Sequence, residues 1–148
     1  MNITFIIPLE KRRKHKMSEP NKKSEEEWLR ILGQDAYIVC RKKGTEPPFS
    51  GKYVDSKVPG TYHCICCDEA LFSSADKYDS GTGWPSFKNE ILGSGIKKEK
   101  DLSYGMERIE LICSKCESHL GHLFNDGPSP TGLRYCINSL SLALKPTE

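Results

Sequence analysis

Polar and apolar positions along this chain change rhythm once, near Gly44. Upstream, Ser24-Glu25-Glu26-Glu27 has the pattern of a capping box, and Trp28, Leu29, Ile31 and Leu32 follow before Gly33. That order predicts a short amphipathic helix that starts on a serine cap and stops on a glycine. Asp35 to Lys43, ended by Gly44, fits either a second helix or an extended segment. Its Tyr37-Ile38-Val39-Cys40 run is β-rich and too short for periodicity to decide. Downstream, Pro47-Pro48, Gly51, Pro59-Gly60, Gly81, Gly83, Gly93, Gly95, Gly105, Gly121 and Gly127-Pro128 interrupt the chain every few residues. Short runs between such breakers predict an antiparallel β-domain. Arg108-Ile109-Glu110-Leu111-Ile112 alternates polar and apolar residues until Ile112, and Arg134 to Leu144 alternates over eleven residues. The second run predicts one long strand ending near Pro146.

The 148 residues fit a single domain with one core, and 36% hydrophobic with 28% charged residues is ordinary for a soluble fold. No apolar run approaches the length needed to cross a bilayer. Residues 1–23 stand apart: the apolar stretch Ile3 to Leu9 precedes a basic cluster of Lys11, Arg12, Arg13, Lys14 and Lys16. A secretory signal has the opposite order. The segment reads as a disordered tail ahead of a domain at 24–148, the alternatives being a degenerate organelle-targeting leader or a start at Met17. With five basic residues and one acid, the first sixteen residues carry +4 of a formal +2, leaving about −2 for the rest. The basic footprint of a nucleic-acid binder is therefore absent.

Seven cysteines without a secretion signal favour metal binding and a reactive thiol in a reducing compartment, the cytoplasm, over a disulfide framework. Cys64-x-x-Cys67 and Cys113-x-x-Cys116 are two knuckles at ligand spacing. Each tight turn points two sulfurs at a common centre, so together they supply four thiolates to one tetrahedral zinc. The 45 intervening residues mean that the metal ties two turns of a folded domain rather than replacing its core. His63 is a conceivable substitute ligand that four thiolates do not need, and Cys66 reads as a bystander. A full Cys₄ set leaves no open position, so the metal is expected to be structural.

Cys136 is left without a structural task. In an extended segment Arg134, Cys136 and Asn138 share a face. A guanidinium beside a thiol stabilises the thiolate, as a nucleophilic cysteine requires, and Asn138 offers an amide to a ligand or water. The plain alternative is a cysteine that packs as a small hydrophobe. His119-Leu120-Gly121-His122 brings two imidazoles near the second knuckle, fit either for structural hydrogen bonds or for donating protons to a leaving oxygen. Trp84 in Gly81-Thr82-Gly83-Trp84-Pro85-Ser86-Phe87 is framed by turn residues, a setting suited to the apolar wall of a pocket.

Taken together, that Trp84 segment, His119-Leu120-Gly121-His122, Gly127-Pro128 with Thr131-Gly132, and Arg134-Tyr135-Cys136-Ile137-Asn138-Ser139 resemble the motifs of the B-type peptide-methionine (R)-S-oxide reductases. Gly44 to Gly51 and both knuckles agree, and the match runs from about Ser24 to Leu144 in motif order. The resemblance implies a β-tent-like domain of two antiparallel sheets with a structural zinc. It also implies reduction of the R epimer of methionine sulfoxide in oxidised proteins, with thioredoxin or a similar thiol as reductant. By position, Cys136 is then the nucleophile, Trp84 packs the substrate's S-methyl group, and Phe124 is a further wall. His119 and His122 assist protonation of the sulfoxide oxygen, Asn138 holds substrate or a water, and Arg134 supports the thiolate.

One residue departs from part of that family: Thr82 stands where many members carry a cysteine that resolves the sulfenic acid. Cys40 is then the best internal resolver, and direct reduction by an external thiol is equally open. A monomer is expected. The alternative from another class is a non-catalytic zinc-stabilised interaction module, which explains the knuckles but neither the Cys136 face nor the Trp84 turn.

Overall fold

The computed structural model describes residues 23–147, so the N-terminal tail expectation falls, but for Lys23, outside the described residues. Helix α1 (Glu25–Leu32) begins on Ser24, whose hydroxyl accepts from Glu27 N–H while the Glu27 carboxylate accepts from Ser24 N–H. This reciprocal pair is the capping box read in the sequence. The ambiguous segment is helix α2 (Gln34–Lys42), which buries Ala36, Val39 and Cys40. Its stop comes one residue before Gly44, at Lys43, which takes a left-handed φ of 60°.

Nine strands follow among the described residues. Strands β1 (Gly60–Cys64), β2 (Ala70–Ser73) and β9 (Leu142–Pro146) form a three-stranded sheet in the order β2-β1-β9. Strands β3 (Lys77–Tyr78), β4 (Ser86–Phe87), β5 (Ile96–Asp101), β6 (Arg108–Cys113), β7 (His119–Phe124) and β8 (Arg134–Ile137) form a six-stranded sheet in the order β3-β4-β8-β7-β6-β5. All ladders are antiparallel. The mainly-β reading, two antiparallel sheets with short N-terminal helices, holds. The sheets meet on an aromatic seam: Phe72 of β2 stacks on Phe87 of β4 at 4.4 Å, and Tyr62 of β1 meets Phe87 edge-on at 5.2 Å. Tyr62, Phe72, Phe87, Leu71, Leu111, Leu120 and Ile137 are fully buried around it.

The long strand expected from Arg134 to Leu144 is two strands in different sheets. β8 ends at Ile137, a 3-10 turn takes up Ser139–Ser141, and β9 leaves to pair with β1. Buried Glu46 causes the break: its carboxylate accepts the backbone N–H groups of Ser139 (2.9 Å) and Leu140 (2.9 Å), drawing the chain out of the ladder. Ser139 and Ser141 are buried and hydrogen-bonded, so the polar positions that gave the run its alternation lie inside.

Candidate functional site

The two knuckles fold alike. Asp68 N–H returns to Cys64 O (2.8 Å) and Glu117 N–H to Cys113 O (2.7 Å). Asp68 and Glu117 each take a left-handed φ, 73° and 66°, to close these turns. The four sulfurs lie within 4.8 Å of one another, with Cys64–Cys116 at 3.6 Å and Cys67–Cys113 at 3.5 Å. Ligands about 2.3 Å from a tetrahedral centre stand about 3.8 Å apart, so the cluster has the shape of a Cys₄ metal site. Cys66 is outside it, and the ring of His63 turns instead to Asp68 O, 2.8 Å away. β6 runs into the second knuckle and β7 leaves it, so the site anchors the strands that carry the histidines.

Residues three apart on a regular strand face opposite ways, yet His119 and His122 have ring centroids 5.5 Å apart. A β-bulge explains it. Gly121 pairs with Leu111 but His119 with Ile112, so Leu120 is an extra residue in β7 and both imidazoles reach one face. Cys136 lies directly across from His122 on β8 and from Ser86 on β4, which places it in that row. Gly121 is required beside it, since a Cβ there would collide with the Cys136 carbonyl.

Each imidazole is held by a carboxylate the sequence did not single out. His119 Nδ1 donates to Glu110 Oε2 and His122 Nε2 to Asp101 Oδ2, both at 2.7 Å, since a carboxylate can only accept. Glu110 is also paired with Lys43 Nζ at 3.0 Å, and Asp101 accepts Ser103 N–H. The His122 and Ser103 hydrogen bonds hold the Asp101 carboxyl below the usual carboxylate range. Burial pushes His119 below the ordinary histidine range, against the opposing pull of Glu110. His119 is 2% exposed, and its Nε2 has no partner among the described residues.

The electrostatics of Cys136 differ from the sequence expectation. Burial pushes its thiol up; Arg134 pulls the other way without prevailing, and the Glu46 and Asp126 carboxylates add to the rise. Arg134 is already committed: Nε and Nη2 donate to Asp126 at 2.8 and 3.2 Å, and the guanidinium lies 4.4 Å from the Phe124 ring centre. Its charge is shared with Asp126, and burial, the larger effect, holds the thiol above the ordinary cysteine range.

Asn138 also differs from expectation. Its Oδ1 accepts Glu46 N–H (3.0 Å), while Nδ2 and its backbone N–H both donate to Leu120 O (3.0 and 2.9 Å). The amide expected to hold substrate or water fastens the carbonyl of the bulge residue. Trp84 is half-buried, with Nε1 donating to Glu46 O at 2.9 Å, and Thr82 and Ser86 hydroxyls share the Ser80 hydroxyl nearby. Ile137 N–H donates to Pro85 O, joining the tryptophan turn to β8. Cys40 is not brought to Cys136. It is 2% exposed on α2, with Sγ near Leu140 O (3.7 Å) and Ser141 Oγ (3.8 Å), and the neighbouring Cys66 thiol draws it below the ordinary cysteine range.

The structure therefore brings together Cys136, His119, His122, Arg134 and Phe124, with Trp84 on the adjoining turn. What sequence reasoning missed are Glu46, Asp101, Glu110 and Asp126; Glu46 alone carried a local signal, as the acid of the Gly44–Gly51 motif.

Residues 32–146 match the SelR domain. The chain is 57% identical over 126 residues to "Peptide methionine sulfoxide reductase MsrB" of Pseudomonas savastanoi pv. phaseolicola, covering 85% of this chain and 96% of that protein. It is 57% identical over 129 residues to the protein of the same name from Saccharophagus degradans, covering 87% and 96%. To that of Acinetobacter baumannii it is 56% identical over 126 residues, covering 85% and 91%. A domain match over most of the chain and identity above half show that the chain belongs to the MsrB family of peptide methionine sulfoxide reductases.

Proposed function

We propose that this protein reduces methionine (R)-sulfoxide in proteins to methionine, with Cys136 as the nucleophile and an external dithiol of the thioredoxin kind as reductant. The observation that carries the reading is Cys136 directly across from His122, with the His119 ring 5.5 Å from that of His122 and its buried Nε2 without a partner among the described residues.

A sulfoxide sulfur accepts a thiolate only as its oxygen gains a proton, so the site must supply both. Cys136 rests as a thiol and His119 as a neutral ring, since burial opposes charge on each. With substrate seated and its methyl group against Trp84, His119 Nε2 accepts the thiol proton, and the imidazolium is balanced by Glu110. That proton then goes to the sulfoxide oxygen as the Cys136 sulfur attacks, with His122, oriented by Asp101, beside it. Attack joins the two sulfurs; the hydroxyl then passes from the methionine sulfur to Cys136 as the sulfur–sulfur bond and the original S–O bond break, leaving methionine and a sulfenic acid on Cys136. The sulfur of methionine gains two electrons and Cys136 loses two. One external thiol then displaces water to form a mixed disulfide, and a second releases Cys136 as thiol. Thr82 at the usual resolving position and the burial of Cys40 support an external reductant.

Cys64, Cys67, Cys113 and Cys116 would hold zinc, which suits four thiolates and closes its coordination with them. Such an ion ties the two knuckles together and takes no part in the reaction. No helix among the described residues is long and apolar enough to cross a membrane, in keeping with substrates met in water.

The test is turnover of peptide methionine sulfoxide of each epimer with dithiothreitol, comparing the parent with Cys136→Ser. Turnover of the R epimer by the parent alone is expected. An inactive parent, or a fully active variant, refutes the reading, and a non-catalytic zinc module would give the former.

A further inference from the structure

The turn before β1 holds an aromatic residue that neither the core nor the proposed chemistry uses. Ser50 N–H and Oγ return to Pro47 O (3.3 and 2.6 Å), closing a four-residue turn with Pro48 second and Phe49 third. Proline second and a positive φ third define a type II turn, whose third position belongs to glycine. Phe49 occupies it with φ 65°, a strained conformation for a bulky residue. Burial does not offset that strain, for the side chain is 71% exposed.

The turn is locked to the tryptophan loop. Phe49 N–H donates to Gly83 O at 2.7 Å, and Glu46 O accepts Trp84 Nε1 at 2.9 Å. Gly83 has φ 97°, and a Cβ on it would stand 2.7 Å from Pro48 Cβ and 2.9 Å from Phe49 Cδ2. The Phe49 ring thus lies against Gly83, one residue from Trp84. Trp84 leads through Pro85 to Ser86, the cross-strand neighbour of Cys136. An exposed ring held in a costly backbone conformation at the rim of a site is placed for a ligand that arrives from solvent.

We propose that Phe49 contacts the residues flanking the oxidised methionine, favouring apolar neighbours over polar ones. This rests on the reductase reading above. Trp84 holds the sulfoxide end of the side chain, while the peptide backbone must leave the site across its rim, where the Phe49 ring offers apolar surface.

The experiment compares the parent, Phe49→Gly and Phe49→Tyr on three R-sulfoxide substrates: N-acetylmethionine sulfoxide, a peptide with leucines beside the sulfoxide, and the same peptide with serines. Phe49→Gly suits the left-handed backbone, so its Tm should equal or exceed the parent's. Its kcat/KM on the leucine peptide should fall about tenfold, through KM, and change less than twofold on the other two substrates. Phe49→Tyr should behave as the parent. An equal loss on all three substrates would make Phe49 a mere prop for Trp84 and overturn the proposal, as would no loss on any. Titration of Cys136→Ser with the leucine peptide, followed by tryptophan fluorescence with and without Phe49→Gly, reads the same contact without turnover. An inactive parent therefore refutes the reductase reading, and an unchanged Kd in this titration refutes the Phe49 contact.

Discussion

Replacing Asn138 by alanine decides whether its amide serves the substrate or the backbone. The side chain is 3% exposed and makes two hydrogen bonds, from Glu46 N–H and to Leu120 O. Alanine leaves Glu46 N–H buried without an acceptor, a cost of about 1–3 kcal/mol. Leu120 O keeps the Asn138 backbone N–H, so loss of the second bond costs only about 0.5–1.5 kcal/mol. A total of about 1.5–4.5 kcal/mol lowers Tm by roughly 5–18 °C for a domain of this size. The bulge at Leu120 sets both imidazoles on one face, so kcat should fall at least tenfold while KM moves little. Thermal unfolding and steady-state kinetics on an R-sulfoxide peptide read the two effects. A Tm within about 1 °C of the parent, with the loss confined to KM, would return Asn138 to the substrate-holding role and refute the clamp.

Iodoacetamide labelling of Cys136, followed by peptide mass analysis across pH, should titrate above the ordinary thiol midpoint, since burial outweighs Arg134. Asp126→Asn frees Arg134 and removes a nearby negative charge, so its labelling curve should move to lower pH; an unmoved curve refutes the shared-guanidinium account. His119 is depressed in the folded state, so acidification below the unfolded value of about 6.5 protonates the unfolded chain first and destabilises the fold. His119→Asn should flatten the slope of unfolding free energy between pH 7 and 5, by up to about 1.4 kcal/mol per pH unit, and an unchanged slope contradicts it. Cys64→Ser should lose bound zinc by metal analysis and melt earlier, whereas Cys66→Ser should keep its metal; equal retention in both would place the ligands elsewhere. After one equivalent of sulfoxide without reductant, intact mass should show one added oxygen, and a loss of two hydrogens would instead identify an internal resolving cysteine.

What the sequence showed directly was whatever a few consecutive residues determine. The capping box at Ser24, the glycine stop, and both Cys-x-x-Cys turns close over three or four residues, so their geometry is written in their spacing. Cys136 stood out because assigning four thiols to a metal left it without a structural task, and the structure sets it across from His122. The run from Arg134 to Leu144 misled because alternation records only that neighbours differ in environment. Ser139 and Ser141 differ from theirs by being buried and hydrogen-bonded, and the acid that bonds the turn, Glu46, lies about ninety residues upstream.

The same remoteness explains why the net balance at Cys136, where Arg134 lowers the thiol but burial raises it more, was not legible and the carboxylates went unseen. Arg134 and Cys136 do share a face, but whether a guanidinium lowers a thiol depends on its other partners. Asp126 comes from the loop after β7 and accepts from Arg134 Nε and Nη2. Glu110 and Asp101 lie on β6 and β5, and only the ladder order and the bulge at Leu120 decide which histidine each receives. Orientation of the proton-carrying groups is therefore a property of sheet register. Cys136 and the histidines can be read as residue types, but their hydrogen bonds and burial are set across strands. For that reason a register error at the bulge should silence the site as completely as loss of His119 itself.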